Sequence, residues 1–167
     1  MLACVDVNYE PRGALAACLV FRSFADPAPA REIVARIDEV APYEPGAFYR
    51  RELPCLLEVL GKVGAPLEAV VIDGYVWLSS DGRPGLGAHL FEALERKVPV
   101  IGVAKTAFRG SAFAERLIRG GSSRPLFITA AGVAPSDAVA RIRSMHGPHR
   151  IPTLLKRVDR LCREGGS

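Results

Sequence analysis

The sequence lacks the long hydrophobic runs and leader signals that mark membrane and secreted proteins. Its longest uncharged apolar stretches, Gly13–Phe21 among them, reach about half of the roughly 20 residues that a membrane helix needs. The first residues have neither the basic region nor the long apolar core of a signal peptide. We therefore expect a cytoplasmic protein that does not associate with membranes.

Cysteine pairs are also lacking. The chain has 4 cysteines, none of them in a C-x-x-C pair. Such pairs supply most structural zinc sites and dithiol redox centres. Because each cysteine lies in apolar surroundings, we expect reduced thiols that mostly fill the core. These are Cys4, Cys18, Cys55 and Cys162.

The composition is that of a globular domain. Of the 167 residues, 49% are hydrophobic and 24% are charged, which excludes disorder and low complexity. No internal repeat or long linker interrupts the chain. Residues 1–167 are therefore expected to form one α/β domain.

Charge is distributed unevenly along the chain. Residues 105–167 contain 12 Lys and Arg against 4 Asp and Glu, a balance of +8, and residues 1–104 contain 10 against 14, a balance of −4. The basic third could be a surface for a polyanion beside a carboxylate site, or simply a solvated face. Helical spacing would let three or four of its basic side chains share one groove, out of Arg141, Arg143, Arg150, Lys156, Arg157 and Arg160.

Hydrophobic periodicity predicts alternating strands and helices. Two strands, Leu2–Tyr9 and Ala14–Phe24, are joined by a hairpin-like turn, and Arg31–Val40 fits either a strand or a helix. Further strands are predicted at Val70–Ile72, Val98–Val103 and Pro125–Thr129. Helices are predicted from Pro54 onward and at Gly85–Lys97, Ala134–Met145 and Pro152–Arg163.

Two acidic residues stand where a parallel sheet would place a ligand. Asp6 interrupts an apolar strand, where an unpaired charge is costly, and Asp73 follows a buried strand directly. If the strands are neighbours, the carboxylates converge on one edge and form an oxygen site suited to Mg²⁺ or Mn²⁺. Alternatively, Asp6 pairs with an arginine and Asp73 caps a turn.

Several motifs, taken in order, resemble one nuclease family. They are Asp6–Tyr9 (D-V-N-Y), Pro42–Gly46 followed by Arg51-Glu52, Val71–Gly74, Gly85–His89, Ile101–Lys105 (I-G-V-A-K), Pro125–Ile128 and His149–Pro152. Together they resemble endonuclease V, a ribonuclease H-like family that cleaves nucleic acid near deaminated adenine. The resemblance implies a ribonuclease H-like mixed sheet flanked by helices, with Arg31–Val40 as a strand.

The resemblance also implies a catalytic centre. Asp6 and Asp73 would bind Mg²⁺, for which Mn²⁺ can substitute, and Glu52 would complete the metal site. Lys105 would hold the scissile phosphate or position water. Counting without gaps from Pro125–Ile128 makes Asp137 the carboxylate of the last helices. Clustered carboxylates with bound metal can neutralise the transition state, activate water and stabilise the leaving oxygen.

Substrate contacts follow from the same resemblance. Tyr43, beside Pro45, would act as a wedge between the strands, because an aromatic face can stack where a base has been flipped out. Gly46, Gly74 and Gly85 would expose backbone groups to hypoxanthine. The expected partner is inosine-containing DNA or RNA, bound by a monomer.

The chain departs from the family pattern at three places. The family's N-terminal helix before the first strand is missing, Ser79 stands at the position of a histidine, and the stretch after Lys105 is short. These departures indicate a compact, divergent member. They leave two alternatives: a nucleic-acid-binding relative without full catalysis, and a metal-dependent hydrolase of small nucleotide phosphate esters.

Overall fold

The fold is built on a central mixed sheet. A computed structural model describes residues 1–165. Seven strands lie in the order β3-β2-β1-β4-β5-β7-β6. They are β1 (Leu2–Tyr9), β2 (Ala14–Phe21), β3 (Arg31–Ile37), β4 (Ala69–Asp73), β5 (Val100–Ala104), β6 (Glu115–Leu117) and β7 (Leu126–Ala131). The predicted mixed sheet is thereby confirmed.

Four α-helices cover the sheet. They are α1 (Tyr49–Gly61), α2 (Leu86–Ala93), α3 (Pro135–Ser144) and α4 (Thr153–Glu164), and a short 3₁₀ helix spans Ser111–Phe113. In the described part of the chain, no helix is both long and apolar enough to cross a membrane.

The directions of the strands determine which strand ends lie together at one edge of the sheet. β1, β4 and β5 run parallel, so their carboxyl ends lie at one edge of the sheet. β2 and β3 continue the sheet antiparallel on one side, and β7 runs antiparallel to β5 on the other. Arg31–Val40 is thus largely strand, as the resemblance implies.

A hydrophobic core lies on each face of the sheet, because successive side chains of a strand point to opposite faces. Cys4, Val71 and Val103 pack with α3 and α4. Val5 and Ile72 pack with α1 and α2. All four cysteines are free and buried, as predicted.

Some predicted boundaries needed correction. α1 begins at Tyr49, five residues before Pro54, which lies inside the helix. β2 ends at Phe21 because the Asp26 carboxylate accepts hydrogen bonds from the next two backbone N–H groups, at 2.9 and 3.0 Å, and turns the chain. β6 is an additional edge strand of only three residues.

Candidate active site

Three charged side chains gather at the carboxyl edge of the parallel strands. Asp73 is the last residue of β4 and Lys105 follows β5. Val5 pairs with Ile72, so the next residues along, Asp6 and Asp73, are neighbours. Alternation from the buried residues of each strand places all three on the face that α4 covers. Lys105 Nζ donates a hydrogen bond to Asp73 Oδ2 at 2.8 Å.

Glu52 approaches this group from the first turn of α1. Its side chain is buried, with only 7% of the residue exposed. The preceding residue, Arg51, lies over the ring of Tyr9 at the end of β1, 4.0 Å from its centroid. This contact attaches the start of α1 to β1, beside the acidic strand ends.

Burial and repulsion from neighbouring carboxylates raise the pKa values of Asp6 and Glu52. Burial, followed by the charge of Asp73, raises the pKa of Asp6 to about 6, although a hydrogen bond from Val7 N–H opposes the rise. Burial, followed by the charges of Asp6 and Asp73, raises the pKa of Glu52 to about 8. A group of carboxylates that resist ionisation gains stability when a cation joins it.

The donor chemistry of this group fits a hard divalent cation. Asp6, Glu52 and Asp73 offer carboxylate oxygens, which Mg²⁺ prefers. Within residues 1–165, no three acidic, histidine or cysteine side chains already stand at the spacing of ligands around one ion. The Lys105 ammonium instead contacts Asp73. The side chains of these acids would therefore have to move before they could share an ion.

Asp159 on α4 also belongs to this neighbourhood, although the sequence analysis did not select it. Its charge helps to raise the pKa of Asp6. Burial lowers the pKa of Lys105, but the hydrogen bond and charge of Asp73, with the charges of Asp159 and Asp6, outweigh burial and raise it. The signal was available in the sequence: α4 packs through Leu154 and Val158, which places Asp159 beside that buried face.

The structure places Asp137, which the sequence analysis selected as the last carboxylate, apart from this group. β7 runs antiparallel to β5, and its last residue, Ala131, pairs with Val100 at the start of β5. The chain therefore leaves β7 at the edge opposite Asp73. α3 begins near that edge, and Asp137 is exposed in its first turn.

A cleft of about 250 Å³ adjoins the acidic group and shares Asp73 with it. The three glycines selected from the sequence, Gly46, Gly74 and Gly85, all line this cleft. A Cβ at Gly85 would lie 2.8 Å from the Tyr75 carbonyl oxygen, so no side chain fits there. Gly102 of β5 has no room for a side chain either, because a Cβ there would lie 2.5 Å from the carbonyl oxygen of Gly74, a residue of the cleft wall.

Aromatic rings form other walls of the cleft. Tyr49 and Tyr75 both line it. The Tyr49 ring stacks on His89 at 3.6 Å between centroids, with 13° between the ring planes. The Tyr75 hydroxyl donates to the carbonyl oxygen of Thr106 at 2.8 Å. Both rings are therefore held in place.

Arg83 supplies a cation to the cleft, and the sequence analysis did not select it. Ser79 hydrogen bonds with the carboxylate of Asp81, and its hydroxyl accepts from Arg83 N–H at 3.0 Å. Leu78 N–H donates to the Arg83 carbonyl oxygen at 2.8 Å. Ser79 thus stabilises the loop that places Arg83 at the cleft.

Tyr43 and Pro45 lie in the segment before α1 and are both exposed. Tyr43 retains 61% of its surface, which is high for a large aromatic residue. Neither residue lines the cleft, whereas their neighbour Gly46 does. The structure therefore places both outside the cleft, beside its Gly46 wall.

A second groove leaves the acidic group on the side of α4. It is about 490 Å³ in volume, and its charged lining comprises Lys105, Arg124, Arg150, Lys156 and Asp159. Other basic residues of the C-terminal third face elsewhere. Arg157 pairs with Glu32 at 2.6 Å, and Arg141 lines a different groove with Leu2.

Comparisons with known proteins identify the family of this chain. The family model of endonuclease V matches residues 1–156. Endonuclease V from Streptomyces coelicolor is 33% identical over 180 aligned residues, which cover 95% of this chain and 76% of the relative.

Solved structures share the fold. The crystal structure of endonuclease V from Streptomyces avermitilis, 25% identical, matches with a TM-score of 0.76 over 98% of this chain and 80% of that one. A variant of endonuclease V from Ciona intestinalis, bound to a 23mer DNA containing an inosine followed by a ribo-adenosine, is 16% identical. It matches with a TM-score of 0.77 over 98% of this chain and 84% of that one. The family match and the relatives together show that this chain belongs to the endonuclease V family.

Proposed function

We propose that this protein is a metal-dependent endonuclease that hydrolyses a phosphodiester near inosine in nucleic acid. The observation that carries the proposal is the shared Asp73: it belongs both to the acidic group and to a glycine-walled cleft. A base bound in the cleft would bring its own strand to the carboxylates. The Ciona relative, crystallised on inosine-containing DNA, has the same fold.

Asp6, Glu52 and Asp73 would hold Mg²⁺, with Mn²⁺ as a possible substitute. When bound, the ion would neutralise phosphoryl charge and lower the pKa of water. We also assign Asp159 to this centre in place of Asp137, because it lines the same groove as Lys105 and its charge acts on both Asp6 and Lys105.

Lys105 would contribute a fixed positive charge. Its ammonium lies 2.8 Å from an Asp73 oxygen, at the mouth of the site. The surrounding carboxylates keep it protonated, as its raised pKa shows. It can therefore donate to a non-bridging oxygen of the scissile phosphate, where negative charge develops in the transition state.

The cleft would bind the deaminated base. Tyr49 and Tyr75 offer flat faces, and the glycines let the ring approach backbone groups. Arg83 adds N–H donors that suit the 6-oxo group of hypoxanthine. Adenine has an amino group at that position and would leave such donors without an acceptor.

A cleavage assay tests the proposal. Oligonucleotides that differ only in inosine or adenosine at one position, made as DNA and as RNA, are incubated with the protein in Mg²⁺ or in EDTA. We expect cleavage of the inosine strand with Mg²⁺ alone. Equal cleavage of both strands, or cleavage in EDTA, contradicts the proposal. Binding without cleavage would indicate a relative that has lost catalysis, and phosphate release from mononucleotides would indicate a small-ester hydrolase.

A further inference from the structure

The guanidinium of Arg150 is bound to main-chain carbonyl groups at the end of β5. Nη2 donates to the carbonyl oxygen of Lys105 and to that of Pro125, the latter at 2.9 Å. Nε donates to the carbonyl oxygen of Arg124 at 3.1 Å. One side chain thus connects the residue after β5 to the two residues that precede β7.

These hydrogen bonds lie just beyond the last pair of the β5–β7 ladder. The ladder between β5 and β7 stops at the pair Ala104 and Phe127. Pro125 has no N–H with which to extend it. The Lys105 carbonyl, beyond the last pair of this ladder, accepts a hydrogen bond from Arg150. The main chain of Lys105 is therefore fixed by a side chain from the loop before α4.

That loop is itself held by Arg119, which is buried with 9% exposure. Arg119 Nη1 donates to the His149 carbonyl oxygen, and Nη2 to that of Met145, both at 2.6 Å. Gly120 packs so closely on His149 that a Cβ there would lie 2.3 Å from the His149 carbonyl carbon. Arg150 therefore extends from an anchored segment.

We propose that Arg150 is a positioning residue that acts through Lys105, fixing its main chain so that the ammonium reaches the scissile phosphate. Three of its five N–H donors bind main-chain carbonyl groups, one of them that of Lys105, which distinguishes Arg150 from a side chain that only faces the groove. Lys156 and Arg124 line that groove as well. The inference rests on the proposed endonuclease function and adds a residue to it.

A double-mutant cycle tests the coupling. Arg150→Met is measured in the wild-type background and in the Lys105→Met background, on one inosine oligonucleotide. Residues that orient a catalytic group typically account for about 10–100-fold in activity. We expect a kcat loss of that size in wild type, with KM little changed. In Lys105→Met the same change should cost less than about threefold, because coupled sites are non-additive.

Arg124→Met is the matched control, since Arg124 lines the same groove but its side chain does not bond to Lys105. Its effect should be equal in both backgrounds and should appear in KM. An equal loss from Arg150→Met in both backgrounds, or a loss confined to KM, overturns the proposal and identifies Arg150 as a phosphate contact.

Two further measurements keep the proposal testable in other cases. If Arg150→Met does not fold, as judged by thermal unfolding, Arg150→Lys replaces it and should retain part of the rate. Amide hydrogen exchange needs no activity: Arg150→Met should speed exchange in residues 105–108, and Arg124→Met should not. Absence of that change overturns the positioning role, whereas failure of wild type to cleave inosine strands overturns only the endonuclease function.

Discussion

The acidic residues Asp6, Glu52 and Asp73 combine two opposing properties. They lie near one another, and Asp6 and Glu52 are largely removed from water. Their charges therefore destabilise the fold in the absence of a cation, although the proposed chemistry needs them. A destabilised cluster of this kind is a common price of function.

Replacing Asp6 or Asp73 by asparagine should separate activity from folding. Loss of one carboxylate removes several kcal/mol of transition-state stabilisation, which corresponds to more than about 100-fold in rate. The metal-free variants should fold, and Asp6→Asn should melt no lower than wild type, because one repulsive charge is gone. Cleavage and thermal unfolding in EDTA are measured beside Asp38→Asn, an exposed control. Activity within a few-fold of wild type in either variant would contradict the assignment.

Glu52 gives stability a pH dependence in the metal-free protein. Its pKa is raised from 4.5 to about 8, so between these values the folded state binds more protons than the unfolded state. Stability therefore falls as pH rises through this window. Since one pKa unit corresponds to about 1.4 kcal/mol, the loss amounts to a few kcal/mol.

Glu52→Gln should flatten this dependence and raise stability at pH 8 in EDTA. Thermal unfolding at pH 5, 6.5 and 8 measures it. Glu58→Gln, an exposed residue of the same helix that pairs with Lys62, serves as the control and should keep the wild-type slope. An unchanged slope in Glu52→Gln would show that another group causes the pH dependence.

Tyr43 should influence discrimination rather than metal binding. It is exposed beside the Gly46 wall of the cleft, where its ring can stack on a base. Stacking contributes about 1–3 kcal/mol per base, so Tyr43→Ala should reduce the preference for inosine over adenosine by about fivefold or more. Competitive cleavage of the two substrates measures the ratio. Ile118→Ala, also exposed but next to edge strand β6, should leave it unchanged. Equal losses on both substrates would argue against the wedge.

At the scale of elements, the sequence predicted most of the sheet but misplaced the start of α1. The buried face of this helix comprises Glu52, Cys55, Leu56, Val59 and Leu60. Its first member is charged, so a search for apolar periodicity begins one turn too late, at Pro54. β6 escaped detection because three residues are too few to show alternation.

The acidic strand ends were predictable because parallel strands place their carboxyl ends together. The position of Asp137 relative to this group was not predictable, because it depends on which edge of the sheet α3 begins from. A count of residues along the chain carries no information about strand direction in β7. Because α3 packs on β7 and α4 packs on β1, it is α4 that carries its acidic residue towards Asp6.

The different positions of α3 and α4 lead to a testable prediction. Asp159→Asn should slow cleavage by about tenfold or more, because it removes a charge that acts on Asp6 and Lys105. Asp137→Asn, the same change at the start of α3, should leave kcat within about twofold of wild type, as expected for surface substitutions away from the site. Single-turnover cleavage measures both. The reverse order of effects would restore Asp137 to the site.

At the scale of the whole molecule, the basic third does not form one uniform surface. Lys105, Arg124 and Lys156 line the groove beside the acidic group. Arg141 lies in another groove, and Arg157 is engaged with Glu32. Of the six basic residues from which the sequence analysis expected three or four phosphate contacts, Arg150 and Lys156 line this groove, whereas Arg141 and Arg157 do not. We therefore predict phosphate contacts from Lys105, Arg124 and Lys156.

Affinity for nucleic acid should depend on salt accordingly. Three contacts correspond to a log-log slope of about −2 to −3, and Lys156→Glu should reduce its magnitude by about 0.7–0.9. The loss of affinity should be similar for inosine and unmodified strands, because phosphate contacts do not read bases. Fluorescence anisotropy at several salt concentrations measures the slopes. Arg141→Glu is the control and should change neither. A salt-independent affinity, or a loss confined to inosine strands, would show that the groove is only a solvated face.

The buried thiols also make the chain suitable for site-directed labelling. Burial raises the pKa of each of the four cysteines, so at neutral pH they remain protonated and react slowly with maleimides. A single cysteine introduced on the surface would then be the preferred attachment point for a dye, with the native four left in place. The labelled protein could then be followed on individual nucleic-acid molecules without replacement of its native cysteines.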